Sequence, residues 1–288
     1  MSHLFCFGLG YSARALAARL SALGWRVTGT STTTVGCEAI AARGYRSVLF
    51  DGVRAGDGVR EALAAATHVL LSVPPGPDAD AVLRWHADDL MAARSVRWLG
   101  YLSTVGVYGD WQGAWVDEDS PPRPVSTRSR WRLAAENAWR AFGQHSGKRV
   151  LIFRLAGIYG PGRSAVDNVK TGTARRIVKP GQVFNRIHVD DLAAILAAAM
   201  SADGTQAIYN VADDEPAPPQ EVVAFAASLL GLAPPPEIPF EEAELSPMAA
   251  SFYGENKRVK NDRIKRVLGV TLAYPTYREG LRAIVAAN

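Results

Sequence analysis

Leu4-Phe5-Cys6-Phe7-Gly8-Leu9-Gly10-Tyr11-Ser12-Ala13 stands at the start of the 288-residue chain and decides its fold class. Leu4 to Phe7 are continuously apolar, the pattern of a strand buried on both faces of a parallel sheet. Gly8 and Gly10 follow at once, and Ala13 takes the place of the third glycine in G-x-G-x-x-G. From Ala13 to Leu23 the apolar residues recur with helical spacing, and Gly24 stops the run. A strand, a glycine turn and a helix in that order predict a dinucleotide-binding βα unit. Gly8 permits the tight turn, Gly10 lets a pyrophosphate approach the backbone, and the small Ala13 lets helix and strand pack closely. The amides around Tyr11 and Ser12 then face the anion at the helix N-terminus.

Further strands follow at Arg26–Thr30, Ser47–Phe50, Thr67–Val73, Trp98–Ser103, Lys148–Leu155 and Ala207–Val211. Helical stretches separate them, which predicts a doubly wound parallel sheet of about seven strands. The second strand ends in Thr30-Ser31-Thr32-Thr33-Thr34. No carboxylate stands there to bind the ribose of NAD, whereas hydroxyls can donate to a 2′-phosphate. The cofactor expected is NAD(P), leaning to NADP. The same Ser and Thr cluster also suits a turn and helix cap with no ligand role. Asp51 ends the third strand and either accepts from adenine or caps a turn. Val73 and Pro74-Pro75-Gly76-Pro77 end the fourth strand and run rigidly past the cofactor. A helix is expected over 78–94.

Composition bounds the function. The formal charge is only +4, and no basic run with interleaved aromatics suggests nucleic acid. No apolar stretch is long enough to span a membrane and no signal peptide precedes the first strand, so a cytoplasmic protein is expected. Cys6 and Cys37 show no metal-ligand spacing, and no metal is expected. Between 163 and 186 stand Arg163, Lys170, Arg175, Arg176, Lys179 and Arg186, against Asp167 as the one acid. That excess suits an anionic small molecule or a solvated face.

Four later phrases join the glycine loop: Leu102-Ser103-Thr104-Val105-Gly106-Val107-Tyr108-Gly109, Arg154-Leu155-Ala156-Gly157-Ile158-Tyr159-Gly160-Pro161-Gly162, His188-Val189-Asp190-Asp191-Leu192, and Tyr209-Asn210-Val211. In order and spacing they resemble the extended short-chain dehydrogenase/reductase superfamily, of the nucleotide-sugar epimerase and dehydratase type. The resemblance implies a nicotinamide cofactor on a Rossmann sheet and a smaller, mostly C-terminal substrate domain. The dinucleotide-binding domain is expected over 1–160 with 187–212 returning to it, and the substrate domain over 161–186 and 213–288. The resemblance further implies that Thr104, with Ser103 adjacent, hydrogen-bonds the reacting oxygen, and that a homodimer forms through the fourth and fifth helices.

The same resemblance predicts Tyr-x-x-x-Lys on the helix after the fifth strand, commonly with a Glu four residues further on. Arg128 and Arg132 occupy the first two positions, and Glu136 the third. A guanidinium stays protonated and cannot act as general acid or base near neutral pH. Arg132 can still hold a ribose or phosphate, and Arg128 a substrate anion. The chain therefore resembles an atypical subgroup. Tyr108 is the candidate replacement for the missing phenol, and Tyr159, Arg163, Arg186 and His188 are the remaining candidate substrate ligands. Two readings result: an NAD(P)-dependent enzyme of the oxidoreductase, epimerase or dehydratase kind acting on an anionic small molecule, or a non-catalytic NAD(P) sensor that has lost the proton relay. Asp190 is expected to cap a helix, and 248–257 to form a lid or linker.

Overall fold

The computed structural model describes residues 2–202 and 208–287. In chain order the elements are β1 (His3–Phe7), α1 (Tyr11–Ser21), β2 (Arg26–Ser31), α2 (Thr34–Ala41), β3 (Arg46–Leu49), α3 (Val59–Ala64), β4 (His68–Leu71), α4 (Ala81–Ala92), β5 (Trp98–Thr104) and β6 (Trp115–Val116). They continue with α5 (Thr127–Ser146), β7 (Arg149–Leu155), β8 (Gly157–Tyr159), α6 (Ala165–Lys170), β9 (Arg176–Val178), β10 (Arg186–His188), α7 (Val189–Ser201) and β11 (Ile208–Val211). The last are α8 (Pro219–Leu229), β12 (Glu237–Pro239), α9 (Pro247–Tyr253), β13 (Arg258–Val259), α10 (Asp262–Leu268) and α11 (Tyr277–Ala286).

The chain divides into two compact units. The first comprises residues 1–104, 127–154 and 193–209, and the second 105–126, 155–192 and 210–288. A seven-stranded sheet in the order β11-β7-β5-β4-β1-β2-β3 forms the frame of the first. β1 pairs in parallel with both β2 and β4. Strand order reverses between β1 and β4, the point at which doubly wound sheets take their ligands, outside the carboxyl ends of the strands. Every β1 residue is buried, and Phe5, Phe7, Leu71, Leu99, Tyr101 and Trp139 belong to one apolar core on that strand's flank. Phe5 and Phe7 meet edge to face at 4.9 Å.

The second unit is built of short parallel pairs, β8 with β10, β9 with β12 and β6 with β13. These two- and three-residue strands carry no periodic signal and were not expected from sequence. A separate core gathers Tyr159, Val166, Val222, Ala226, Tyr277, Leu281 and Ile284.

Several boundaries differ from the sequence reading. The first helix begins at Tyr11, with Gly10 as its N-cap. The fourth begins at Ala81, because the Asp80 carboxylate accepts from the amides of Val82 and Leu83 and so sets the cap. Asp190 lies inside the first turn of α7, since Val189 is already helical. The expected lid over 248–257 contains a helix, α9, started by Pro247 and by Ser246, whose hydroxyl accepts the Ala249 amide. Ala207, the expected first residue of the last strand, lies outside the described residues. Among the described residues no helix is long and apolar enough to cross a membrane.

Candidate functional site

The loop after β1 follows from its glycines. Gly8 has φ +81° and lies against Val73: a Cβ there would meet Val73 Cγ2 at 3.3 Å. A side chain at this position would carry backbone strain as well as a tight contact. Gly10 differs, because a Cβ built on it meets nothing within 4 Å. It caps α1 without a side-chain bond, and the first turn of α1 carries no acid. Gly10 therefore offers no side-chain cap of its own, at a helix end whose dipole favours an anion. Tyr11 is half-buried and opens the helix, while Ser12 and Ala13 are buried beneath it. Open space over Gly10 at the start of a helix is the shape a pyrophosphate requires, so these residues fit a dinucleotide.

The end of β2 separates the sequence candidates. Thr30 is buried, and its Oγ1 accepts the Gly8 amide at 2.8 Å. Ser31 Oγ accepts from the Thr33 amide at 3.4 Å, and Thr33 caps α2 by accepting the Gly36 amide at 3.1 Å. Thr32 is exposed. Part of this cluster thus builds the turn and helix start, with Ser31 and Thr32 at the surface end of the strand. Asp51 is exposed and accepts the amides of Val53 and Arg54; the Val53 bond above all holds its carboxyl below the usual range. It caps a turn.

On the next pair of elements, α5 meets β5 at two successive points. Arg132 Nη1 donates to the Leu102 carbonyl at 2.6 Å and to Tyr101 Oη at 3.2 Å. One turn further along α5, Glu136 accepts the Ser103 hydroxyl at 2.5 Å and a forked pair of bonds from Arg154, closest at 2.8 Å. Ser103, Glu136 and Arg154 are all buried. Ser103 is therefore committed to structure, and Thr104 ends the strand next to it, half-buried. Arg128 is exposed in the first turn of α5. The resemblance marks Glu136, but sequence reasoning missed its partner. The signal was available: an arginine inside the apolar strand Val150-Leu151-Ile152-Phe153-Arg154-Leu155 requires a buried counter-charge.

In the second unit, Tyr108 is fully buried and donates to Asn210 Oδ1 at 2.7 Å. Tyr159 packs in the apolar core and donates to the Thr276 carbonyl at 3.4 Å; burial raises its phenol further from neutrality. His188 lies between the rings of Tyr159 and Tyr274, at 5.2 and 4.0 Å between centroids. Its Nδ1 accepts the Asp190 amide at 3.3 Å, which leaves the proton on Nε2. Burial lowers its pKa, favouring the neutral ring.

The basic stretch is largely spent on the unit itself. Arg175 donates to the Glu244 carbonyl, Arg176 to Pro235 and Glu237, and Lys179 to the Tyr253 carbonyl. These bonds tie the segment 235–253 to β9 and its neighbours. Arg186 Nη1 donates to the carbonyls of Phe184 and Ala217. Arg163 is exposed in a tight turn with Gly160.

Two carboxylates missed by sequence reasoning also lie here. Asp191 accepts the amides of Ala273 and Tyr274 at 2.8 and 2.9 Å. Asp213 is buried, its carboxyl pushed up to about 8 by desolvation against the opposing pull of Arg186. Among the described residues no group of three His, Cys, Asp or Glu side chains could hold a metal.

Comparison with known proteins places this geometry. The model of the NAD dependent epimerase/dehydratase family matches residues 8–212. Protein YeeZ of Escherichia coli K12 is 30% identical over 298 residues, an alignment covering 96% of this chain and 97% of YeeZ. The structure of a functionally unknown conserved protein from Silicibacter pomeroyi is 49% identical, with a TM-score of 0.90 over 100% of this chain and 99% of the other. UDP-glucose 4-epimerase from Thermus thermophilus, solved with NAD, shares the fold at 22% identity, with a TM-score of 0.75 over 99% and 98% of the two chains.

Proposed function

The chain belongs to the NAD-dependent epimerase/dehydratase family, and on that premise we propose that it binds a nicotinamide dinucleotide at the carboxyl edge of β1 and β4 and acts as an enzyme on an anionic small molecule. The observation that carries the cofactor half is Gly10: open space above the residue, at the start of a helix. In this reading Gly8 to Ala13 receive the pyrophosphate, and Val73 borders the loop. Arg132, fixed on the Leu102 carbonyl, offers the rest of its planar fork to the ribose. The bound nicotinamide would supply redox chemistry, and Thr104 would hold the substrate oxygen.

The missing carboxylate after β2 and the surface hydroxyls of Ser31 and Thr32 favour NADP over NAD. Thr30 supports the loop from beneath and takes no part in that choice. Asp51 is left a turn-forming role. The substrate reading assigns the second unit to the substrate, with Arg163 and Arg186 as its candidate anion ligands, and Arg128 is a candidate anion ligand of the first unit. Relatives by fold carry nucleotide-sugar names, as UDP-glucose 4-epimerase does, and a nucleotide sugar or sugar acid suits guanidinium ligands. A cytoplasmic homodimer is the expected setting.

A non-catalytic NAD(P) sensor is the second reading, and a specific observation favours it. Arginine stands at both positions of the expected Tyr and Lys, and the Tyr108 and Tyr159 hydroxyls are taken up within the second unit. Either reading is tested by thermal shift of the full chain with NAD, NADH, NADP and NADPH. A nucleotide at 100 times its Kd adds about 2.7 kcal/mol of stability, and Gly10→Leu should abolish that shift. A wild-type protein unmoved by all four nucleotides refutes cofactor binding. Oxidation of the bound reduced form by keto-sugars supports the enzyme; binding without turnover across such a panel supports the sensor.

A further inference from the structure

Resting on the cofactor reading above, we infer that Glu136 is a positioning residue that delivers the Arg132 guanidinium to the cofactor edge of β5. Arg132 and Glu136 are four residues apart and share one face of α5. Leu102 and Ser103 are consecutive on β5. The two helix residues therefore grip the strand at two neighbouring points, Arg132 on the Leu102 carbonyl at 2.6 Å and Glu136 on the Ser103 hydroxyl at 2.5 Å. Arg154 holds Glu136 from β7 through Nε and Nη2, at 3.2 and 2.8 Å.

Glu136 and Arg154 are 1% and 2% exposed. Removing two charges from water to that degree is expensive, and apolar residues of similar size often serve stability as well or better. What an ion pair supplies that an apolar pair does not is direction. An acceptor fixed by three donor atoms admits one rotation of α5 about its axis and one height along β5. Arg132, a turn earlier on the same helix, is then carried against Tyr101 and Leu102, toward the carboxyl end of β5. A long guanidinium side chain has many rotamers, and holding one end of its fork reduces the freedom lost when a ligand takes the other.

The test is a double-mutant cycle on the full chain, with Kd for NADH and NADPH read by nucleotide fluorescence and the melting temperature of the unliganded protein read alongside. Glu136→Gln and Arg132→Leu should each weaken binding about tenfold, and the double variant should bind no more weakly than Arg132→Leu alone, because both act through one side chain. Losses that multiply in the double variant overturn the inference, as does unchanged affinity in either single variant. Ser103→Ala keeps the ion pair and serves as the milder probe should Glu136→Gln fail to fold. It should cost severalfold in affinity, and that loss should vanish in the Arg132→Leu background; a loss that persists there overturns the inference. A wild-type protein that binds neither nucleotide refutes the cofactor reading and this one with it, whereas wild-type binding with an unaffected Glu136→Gln refutes this one alone.

Discussion

The hydroxyl of Thr30, at the end of β2, accepts the backbone amide of Gly8, at the end of β1, across 2.8 Å. The neighbouring Leu9 amide donates to the Thr30 carbonyl at 3.0 Å. One residue of the second strand thus holds two successive amides of the glycine loop. Thr30→Val keeps the shape and strands the Gly8 amide. It should cost about 1 kcal/mol in urea unfolding and weaken nucleotide binding, whereas Thr32→Val, at an exposed site, should leave stability within about 0.5 kcal/mol. Equal unfolding midpoints for wild type and Thr30→Val would refute the strut.

Gly29 precedes that threonine for a steric reason. A Cβ there would lie 2.6 Å from Leu9 Cβ and 2.9 Å from Leu9 Cδ2. Gly29→Ala should therefore destabilise by about 1–3 kcal/mol through overpacking, and Gly29→Ala with Leu9→Ala should recover part of the loss. An additive double variant would show that the two residues are independent.

Removing one half of the buried pair should cost more than any surface charge. Arg154→Met leaves Glu136 charged, buried and without its guanidinium, with an expected loss of about 3–5 kcal/mol. Arg46→Met, whose pairing with Glu61 is exposed, should cost less than about 1 kcal/mol. Chemical denaturation of the two variants side by side decides the comparison.

His68 predicts acid sensitivity. Burial first, then Arg97 and Arg149, push its imidazole down from 6.5 to about 4. The folded state prefers the neutral ring, so this contribution is fully present above pH 6.5 and is lost as pH falls from there through 4. Its size is on the order of 3 kcal/mol. Unfolding free energies measured between pH 7.5 and 4 should fall more steeply in the wild type than in His68→Gln. Parallel curves would contradict the assignment.

Asp213 has the opposite sign. Its folded carboxyl sits near 8 against 3.8 in an ordinary site, so the folded state favours the protonated form. Its contribution is complete below pH 3.8 and is lost as pH rises from 3.8 through 8. Asp213→Asn keeps the oxygen that accepts the Glu215 amide and cannot ionise. The variant should melt above the wild type at pH 8.5, and the gap should close toward pH 4. A variant less stable than wild type at pH 8.5 would show that the charged form is the one the fold requires.

The parallel sheet and its glycine loop were legible because β1 is apolar at nearly every position and because each glycine there answers a local demand on the backbone. The family phrases nominate Thr104, Arg128 and Arg132 as candidates, the two arginines by a four-residue spacing that lies within one helix, α5. Sequence could not show that Thr30 and Ser103 turn their hydroxyls inward, since a buried hydroxyl and a ligand-binding one are spelled alike. Nor could it show that Arg175, Arg176 and Lys179 are consumed by carbonyls and a carboxylate between 235 and 253. Charge excess along the chain is visible in a sequence, whereas the acceptors that take it up lie 59 to 74 residues away.

The first unit is assembled from three separate stretches, the last of which ends at residue 209. Neither half of the molecule is thus a continuous length of polypeptide, and no single protease cut or gene truncation can release one half intact. During synthesis the sheet of the first unit cannot be completed until residue 209 has been made, so β1 to β5, all within the first 104 residues, must wait for β7 and β11 to close one edge.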